Sequence, residues 1–197
     1  MDIIIPTMKS ASELASMVEE IQITAGLPVQ VIVTDQQASA SVNRNYGLDH
    51  TTSDPVLMVD DDCEKFPQGW AAKLIAVLEE HPKCVMVSPQ LAAPNGQPGC
   101  MMGGCQIRRD GVTEARERKL PTACVAVRRN ALRFDIDLIG SGFDDDCYCA
   151  SLRMMLPDAL FLVCHDVWIV HRNETKNQHG HFWEHNRAVY EKKWGKR

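Results

Sequence analysis

Short apolar runs of strand length alternate with amphipathic segments along the first half of the chain, and this alternation limits the possible folds more than any other feature. Ser10 and Glu13 have the spacing of a capping box before a helix that ends at Gly26. Residues 68–80 carry apolar side chains on one helical face. The predicted strands are residues 3–5, 29–34, 56–59 and 84–88. Strands that alternate with helices predict an α/β fold with a mostly parallel central sheet flanked by helices.

The second half of the chain contains further elements of the same kind. A glycine- and proline-rich stretch, residues 92–104, predicts a long irregular loop, and Asp110-Gly111 predicts a hairpin turn. The remaining predicted elements are strands at 123–127, 160–164 and 167–170 and helices that end near Met155 and Trp194. At 197 residues, the simplest organisation is one domain over residues 1–197.

The charge balance and the cysteines exclude several classes of protein. A net charge of −5 argues against nucleic-acid binding, which needs a basic surface. No apolar run is long enough to span a membrane, and we expect no signal peptide. The 8 cysteines include no Cys-x-x-Cys pair, which argues against a zinc site. Reduced, mostly buried thiols in a cytoplasmic protein are the simpler interpretation.

Three consecutive carboxylates follow the predicted strand 56–59 directly. Asp60, Asp61 and Asp62 repel one another, and a hard divalent cation such as Mg²⁺ or Mn²⁺ would neutralise them. In an extended chain Asp60 and Asp62 point to the same side. The alternative is a solvated loop with a helix cap, because aspartate is common there. In α/β sheets ligands bind beyond the carboxyl ends of the strands, which favours the metal site.

A second acidic cluster, Asp144-Asp145-Asp146, follows a Gly-x-Gly turn and begins a helix. Acidic side chains stabilise the first turn of a helix, so capping alone explains the cluster. Clustered carboxylates also raise one another's pKa, which would suit a general base. His171 ends the last predicted strand and is a candidate metal ligand. Arg44, between two asparagines at a helix start, is a candidate phosphate or ribose contact.

Taken in order, these segments resemble family 2 glycosyltransferases, which have the GT-A fold. The matching motifs are Ile3-Ile4-Ile5-Pro6-Thr7, Val31-Ile32-Val33-Thr34-Asp35, Asn43-Arg44-Asn45-x-Gly47, Val59-Asp60-Asp61-Asp62, Gly142-Phe143-Asp144-Asp145 and His171-x-x-x-Thr175. The first two resemble the opening strand and the nucleobase-contacting strand of the family. The third resembles its Arg-Asn-x-Gly element, and the fourth resembles its metal-binding Asp-x-Asp (DXD) motif. The last two resemble its catalytic acidic segment and a late histidine. The resemblance extends over nearly the whole chain.

The resemblance implies a metal-dependent, inverting glycosyltransferase that moves a sugar from a nucleotide-diphosphate donor, most commonly a UDP-sugar, to an acceptor hydroxyl. It implies Mn²⁺ or Mg²⁺ as the cofactor, held by Asp62 and Asp60 with His171. It assigns catalysis to Asp145 and its neighbour Asp144. The residues that it implies for nucleotide-sugar binding are Pro6, Thr7, Asp35, Arg44, Asn45, Asp60 and Asp61.

The sequence departs from the family pattern in places that leave alternatives open. Gln36-Gln37 stand where the family has small polar residues, and Cys147 stands where a further acid often follows. If the alignment with the family's acidic segment is shifted by one residue, Asp144 and Asp146 become the catalytic acids. A nucleotide-sugar-binding module that has lost catalysis remains an alternative. So does another metal-dependent phosphoryl or nucleotidyl enzyme on an α/β sheet.

Overall fold

The computed structural model describes residues 1–36, 38–97, 110–173 and 179–195. The strands in these ranges are β1 (Asp2–Pro6), β2 (Gln30–Thr34), β3 (Val56–Val59), β4 (Cys63–Glu64), β5 (Cys84–Ala92), β6 (Val112–Glu114), β7 (Cys124–Val127) and β8 (Leu160–His171). The helices are α1 (Ala11–Thr24), α2 (Ala40–Asp49), α3 (Trp70–Glu80), α4 (Asp144–Met155) and α5 (His179–Trp194), with a short 3₁₀ helix at Arg116–Arg118.

The described strands form one mixed sheet in the order β2-β1-β3-β7-β5-β8-β4, and β6 pairs with β8. Strands β2, β1 and β3 are parallel, as are β5 and β8. Strand β7 is antiparallel to both β3 and β5, so these two run in the same direction. The carboxyl ends of β1, β2, β3 and β8 therefore lie at one edge of the sheet. The predicted α/β class, with helices flanking a central sheet, is confirmed.

Alternation along β1 divides the core into two layers. Ile3 and Ile5 pack into the layer that contains α1 and α3, whereas Ile4 packs into the layer with Tyr148 and Leu152 of α4. Helix α2 approaches β1 closely, because a Cβ atom at Gly47 would lie 2.4 Å from Ile4 Cγ2. Asn43, in the first half of α2, donates to the Thr7 carbonyl oxygen at 3.3 Å, which places this part of the helix beside the end of β1.

The helix boundaries follow the local sequence closely. Helix α1 begins after Ser10, whose backbone N–H donates to the Glu13 carboxylate at 2.8 Å, as the capping-box pattern predicts. The strand predictions need one correction. Residues 160–164 and 167–170 belong to one strand, because buried His165 is hydrogen-bonded within the sheet by Gln90 and Thr113. Strand β6 follows Asp110-Gly111 and pairs with β8, and the other strand of the predicted hairpin falls within residues 98–109, which lie outside the described residues.

Several predictions concern residues that are only partly described. Strand β5 occupies the start of the predicted loop at 92–104, and residues 98–104 lie outside the described residues.

The described cysteines, namely Cys63, Cys84, Cys124, Cys147, Cys149 and Cys164, are buried and unpaired, as predicted for reduced thiols. None of the described helices combines the length and apolar character that crossing a bilayer requires.

Candidate active site

Two carboxylates and an imidazole converge at the edge where β3 and β8 end. Ligand atoms of Asp60, Asp62 and His171 lie within 4.8 Å of one another. Strand β4 causes this convergence, because Cys63 pairs with His171 and so sets Asp62 beside the last residue of β8. His171 Nε2 lies 3.1 Å from Asp62 Oδ1. The structure thus brings together the three side chains that the sequence predicts as metal ligands.

The chemistry of these three side chains fits a divalent cation. The two carboxylates suit Mn²⁺ or Mg²⁺, and a neutral imidazole is a common metal ligand. Burial raises the pKa of Asp60, and the charges of Arg44 and His171 counteract part of this rise. Burial alone would lower the pKa of His171, but the hydrogen bond and charge of Asp62 raise it overall. His171 Nδ1 is buried and has no hydrogen-bond partner among the described residues.

Arg44 connects this cluster to the second acidic segment. Its Nη2 lies 2.6 Å from Asp60 Oδ1, and its Nη1 donates to Asp144 Oδ2. The Arg44 side chain is only 3% exposed, and its guanidinium lies over the Phe134 ring at 5.3 Å. Arg44 is thus surrounded by protein groups, and in this arrangement it holds the two acidic segments together.

The three aspartates at the start of α4 have three different environments. Asp144 accepts from Arg44 and from the Gly142 backbone N–H at 3.1 Å. Asp146 Oδ1 lies 3.3 Å from Lys119 Nζ. Asp145 Oδ1 instead accepts from Thr122, through its backbone N–H at 2.9 Å and through its hydroxyl.

These environments give Asp145 the character of a base. Burial, and next the charge of Asp144, raise the pKa of Asp145 to about 7, although Arg44 and the Thr122 hydrogen bonds oppose the rise. A carboxylate with a pKa near neutrality can accept a proton in a reaction at physiological pH. Among the three aspartates, Asp145 fits a general base best.

The other predicted donor-binding residues lie at the same edge of the sheet. Pro6 ends β1, and Thr7 Oγ1 donates to Asp61 Oδ2 at 2.5 Å. Asp35 follows β2 and is exposed. Asn45 exchanges two hydrogen bonds with the Phe134 backbone, at 2.7 and 2.9 Å, so its amide fixes the chain beneath Arg44. Thr175, named above beside His171, lies outside the described residues.

Three polar residues that no sequence motif marks contact the acidic segment or the turn before it. Thr122 and Lys119 contact Asp145 and Asp146, and Asn186 contacts the backbone of residues 139–142. Thr122 and Lys119 lie in the chain between the 3₁₀ helix and β7, and Asn186 lies on α5. Each acts on a residue more than 20 positions away, and a single polar residue outside a motif carries no pattern that marks such a contact.

Replacing Arg44 by Met should destabilise the protein by about 3–5 kcal/mol, because it leaves Asp60 and Asp144 without their shared cation. Urea unfolding at neutral pH measures this change. The matched control is Arg133→Met, which removes an exposed ion pair with Asp49 and should cost less than about 1 kcal/mol. Equal effects of the two substitutions would contradict the bridging role of Arg44.

Comparisons with known proteins agree with this architecture. The family model described as Glycosyl transferase family 2 matches residues 2–139. Comparison with curated proteins gives no match.

Among solved structures the chain resembles S. aureus TarS 1–349, with a TM-score of 0.60 and 15% identity over 95% of this chain and 63% of that one. It also resembles A197 from STIV, with a TM-score of 0.59 and 12% identity over 86% of this chain and 84% of that one. A third similar structure is GalNAc-T7 with UDP, GalNAc and Mn²⁺, with a TM-score of 0.55 and 14% identity over 86% of this chain and 37% of that one. These identities support a common fold, and the chain spans less than two thirds of TarS 1–349 and GalNAc-T7.

Proposed function

The chain belongs to glycosyl transferase family 2, and on this basis we propose that it is a metal-dependent, inverting glycosyltransferase that uses a UDP-sugar donor. The observation that carries the proposal is the connection, through Arg44, between the Asp60–Asp62–His171 cluster and the acidic segment that contains Asp145. The similar GalNAc-T7 structure contains UDP and Mn²⁺, which supports this choice of donor and metal. We also propose that residues 1–197 form one domain.

In this proposal, Asp60, Asp62 and His171 hold the cation. When bound, Mn²⁺ or Mg²⁺ stabilises the negative charge of the departing diphosphate. Pro6, Thr7, Asp35 and Asp61 lie where the strands end and bind the donor. Arg44 and Asn45 act indirectly, because their side chains fix Asp60, Asp144 and the Phe134 backbone.

Asp145 accepts the proton of the acceptor hydroxyl as its oxygen attacks the anomeric carbon. The bond between that carbon and the diphosphate breaks in the same step, and a single displacement of this kind inverts the configuration. Positioning the hydroxyl and the base contributes to the rate by orientation and by proton transfer. We propose a cytoplasmic location, supported by the unpaired, buried cysteines among the described residues.

The donor assignment is tested by titrating the protein with UDP and with other nucleoside diphosphates, each with and without Mn²⁺, by calorimetry. The proposal predicts that Mn²⁺ strengthens UDP binding and that UDP binds more tightly than the other nucleotides. Metal-independent binding, or no selectivity for UDP, would contradict it.

Replacing Thr122 by Val should shift the midpoint of the pH dependence of kcat/KM to higher pH. The Thr122 hydroxyl stabilises the ionised form of Asp145, so its loss raises the pKa of Asp145 further. The charges of Asp144, Arg44 and His171, which also interact with this carboxylate, stay the same in the variant. The base works when deprotonated, so the rate should fall below a midpoint near pH 7 in the parent and below a higher midpoint in the variant.

The measurement is kcat/KM between about pH 5 and pH 9, because the pH dependence of this ratio reports the pKa values of the free enzyme. Thr51→Val is the control, because Thr51 is a buried threonine that contacts Leu48 and Arg129 away from the acidic segment. Its midpoint should equal that of the parent. A midpoint in Thr122→Val that stays the same or moves downward would refute the role of Thr122.

A further inference from the structure

A single buried amide on α5 binds the backbone turn that precedes the acidic segment. Asn186 is fully buried, and its Oδ1 accepts from the Ile139 backbone N–H at 3.0 Å. Its Nδ2 lies 2.9 Å from the Ile139 carbonyl oxygen, 3.3 Å from that of Ser141 and 3.0 Å from that of Gly142. One side chain thus lies within hydrogen-bond distance of four of the eight polar backbone groups of residues 139–142.

The same turn makes contacts on its other sides. The Gly140 carbonyl oxygen accepts from the Ala40 backbone N–H at 3.2 Å, which connects the turn to α2 and so to the helix that carries Arg44. A Cβ atom at Gly140 would lie 2.2 Å from the Phe182 ring of α5, and its φ of +58° favours glycine as well. The Gly142 backbone N–H then donates to Asp144 Oδ1 at 3.1 Å.

Phe143, between the turn and the acidic segment, has a strained backbone. Its φ is 65°, in the left-handed region that bulky side chains rarely occupy. Such a conformation persists only where the surroundings fix it. Here α5 supplies those surroundings, since the Phe143 ring lies 4.6 Å from the Trp183 ring and 5.5 Å from the Tyr190 ring.

We propose that Asn186 is a positioning residue that fixes the turn at 139–142 and thereby the orientation of Asp144 and Asp145 toward Arg44 and the metal cluster. This inference rests on the proposed function. According to this inference, α5 helps to position the catalytic groups, although the helix follows the region matched by the family model. The path runs from Asn186 through Gly142 to Asp144, and from there through Arg44 to Asp60.

Other contacts of α5 hold the preceding segment independently. Lys193 Nζ lies 2.6 Å from Asp135 Oδ2 and 3.0 Å from Asp137 Oδ2, and His185 Nε2 lies 2.9 Å from the Asp137 carbonyl oxygen. These contacts attach α5 to residues 135–137 without touching the turn. His185→Ala therefore serves as a matched control from the neighbouring position on the same helix.

The experiment uses Asn186→Asp, which keeps the shape of the side chain but loses the two N–H donors of the amide, and Asn186→Ser, which has a shorter side chain with a single hydroxyl. Three quantities are measured for the full chain: affinity for UDP with Mn²⁺, kcat for donor consumption, and backbone hydrogen exchange of residues 139–146. We expect exchange in both Asn186 variants to rise by about tenfold or more. We expect kcat to fall by roughly 10²-fold, with UDP affinity within about threefold of the parent. His185→Ala should resemble the parent in all three.

The outcomes separate this inference from the function on which it rests. Faster exchange with a kcat within about twofold of the parent would reduce Asn186 to a structural role and overturn the proposal. Unchanged exchange at 139–146 would overturn it as well. If the parent consumes no nucleotide sugar, the proposed function fails, and the exchange measurement alone decides whether Asn186 fixes the turn.

Discussion

Replacing Asp62 by Asn should abolish the Mn²⁺-dependent binding of UDP while the protein stays folded. Asp62 is buried beside His171 and supplies a charged oxygen to the candidate metal site. Its loss weakens the binding of the cation and therefore the binding of the diphosphate that the cation neutralises. Substitution of a residue that only hydrogen-bonds to a metal ligand reduces metal affinity by about 10–100-fold. Removing a ligand itself should therefore reduce the affinity by more than about a hundredfold.

Calorimetric titration with UDP, with and without Mn²⁺, measures this effect, and circular dichroism checks the fold. Asp49→Asn is the control, because it removes a carboxylate from an exposed ion pair with Arg133. Its affinity for UDP should match that of the parent. Equal Mn²⁺-dependent binding by Asp62→Asn and the parent would show that the metal is held elsewhere.

Replacing Asp145 by Asn should leave donor binding intact and reduce kcat by roughly 10²–10⁴-fold, the usual contribution of a positioned general base. The substitution keeps a side-chain oxygen that can accept from Thr122, so the fold around it should persist. It removes the carboxylate that burial and Asp144 give a pKa of about 7. The loss should appear in kcat rather than in affinity for the donor.

The neighbouring aspartates distinguish the base from its supports. Asp144→Asn weakens the contact with Arg44, and Asp146→Asn the contact with Lys119, so neither should reproduce the full loss in kcat. A collapse of kcat seen only in Asp144→Asn or only in Asp146→Asn would identify that neighbouring aspartate as the base. Loss of UDP binding together with turnover in Asp145→Asn would assign the acidic segment to the metal site.

The elements that sequence patterns predict well are those determined by local interactions. Ser10 and Glu13 are three residues apart, and the helix that they cap begins at Ala11. The direction of a strand has no such local mark. Residues 123–127 have the composition of a strand, but only the sheet makes β7 antiparallel to both of its neighbours.

The candidate site divides along the same line. Asp60, Asp62 and His171 could each be selected from the sequence because each follows or ends a strand, and the resemblance to family 2 glycosyltransferases grouped them as ligands of one metal. The side chains that orient the acidic segment could not, because their contacts depend on tertiary packing. Thr122 reaches a residue 23 positions away, and Asn186 reaches one 47 positions away.

Transfer of a sugar from a nucleotide donor can be measured by incubating the protein with a panel of UDP-sugars and Mn²⁺ and quantifying the UDP released. Release should require the metal and should fall by roughly 10²–10⁴-fold in Asp145→Asn. If UDP binds with Mn²⁺ but no UDP-sugar is consumed, the protein is a binding module and not a transferase. If it releases phosphate from simple phosphate esters without sugar transfer, it is a phosphatase.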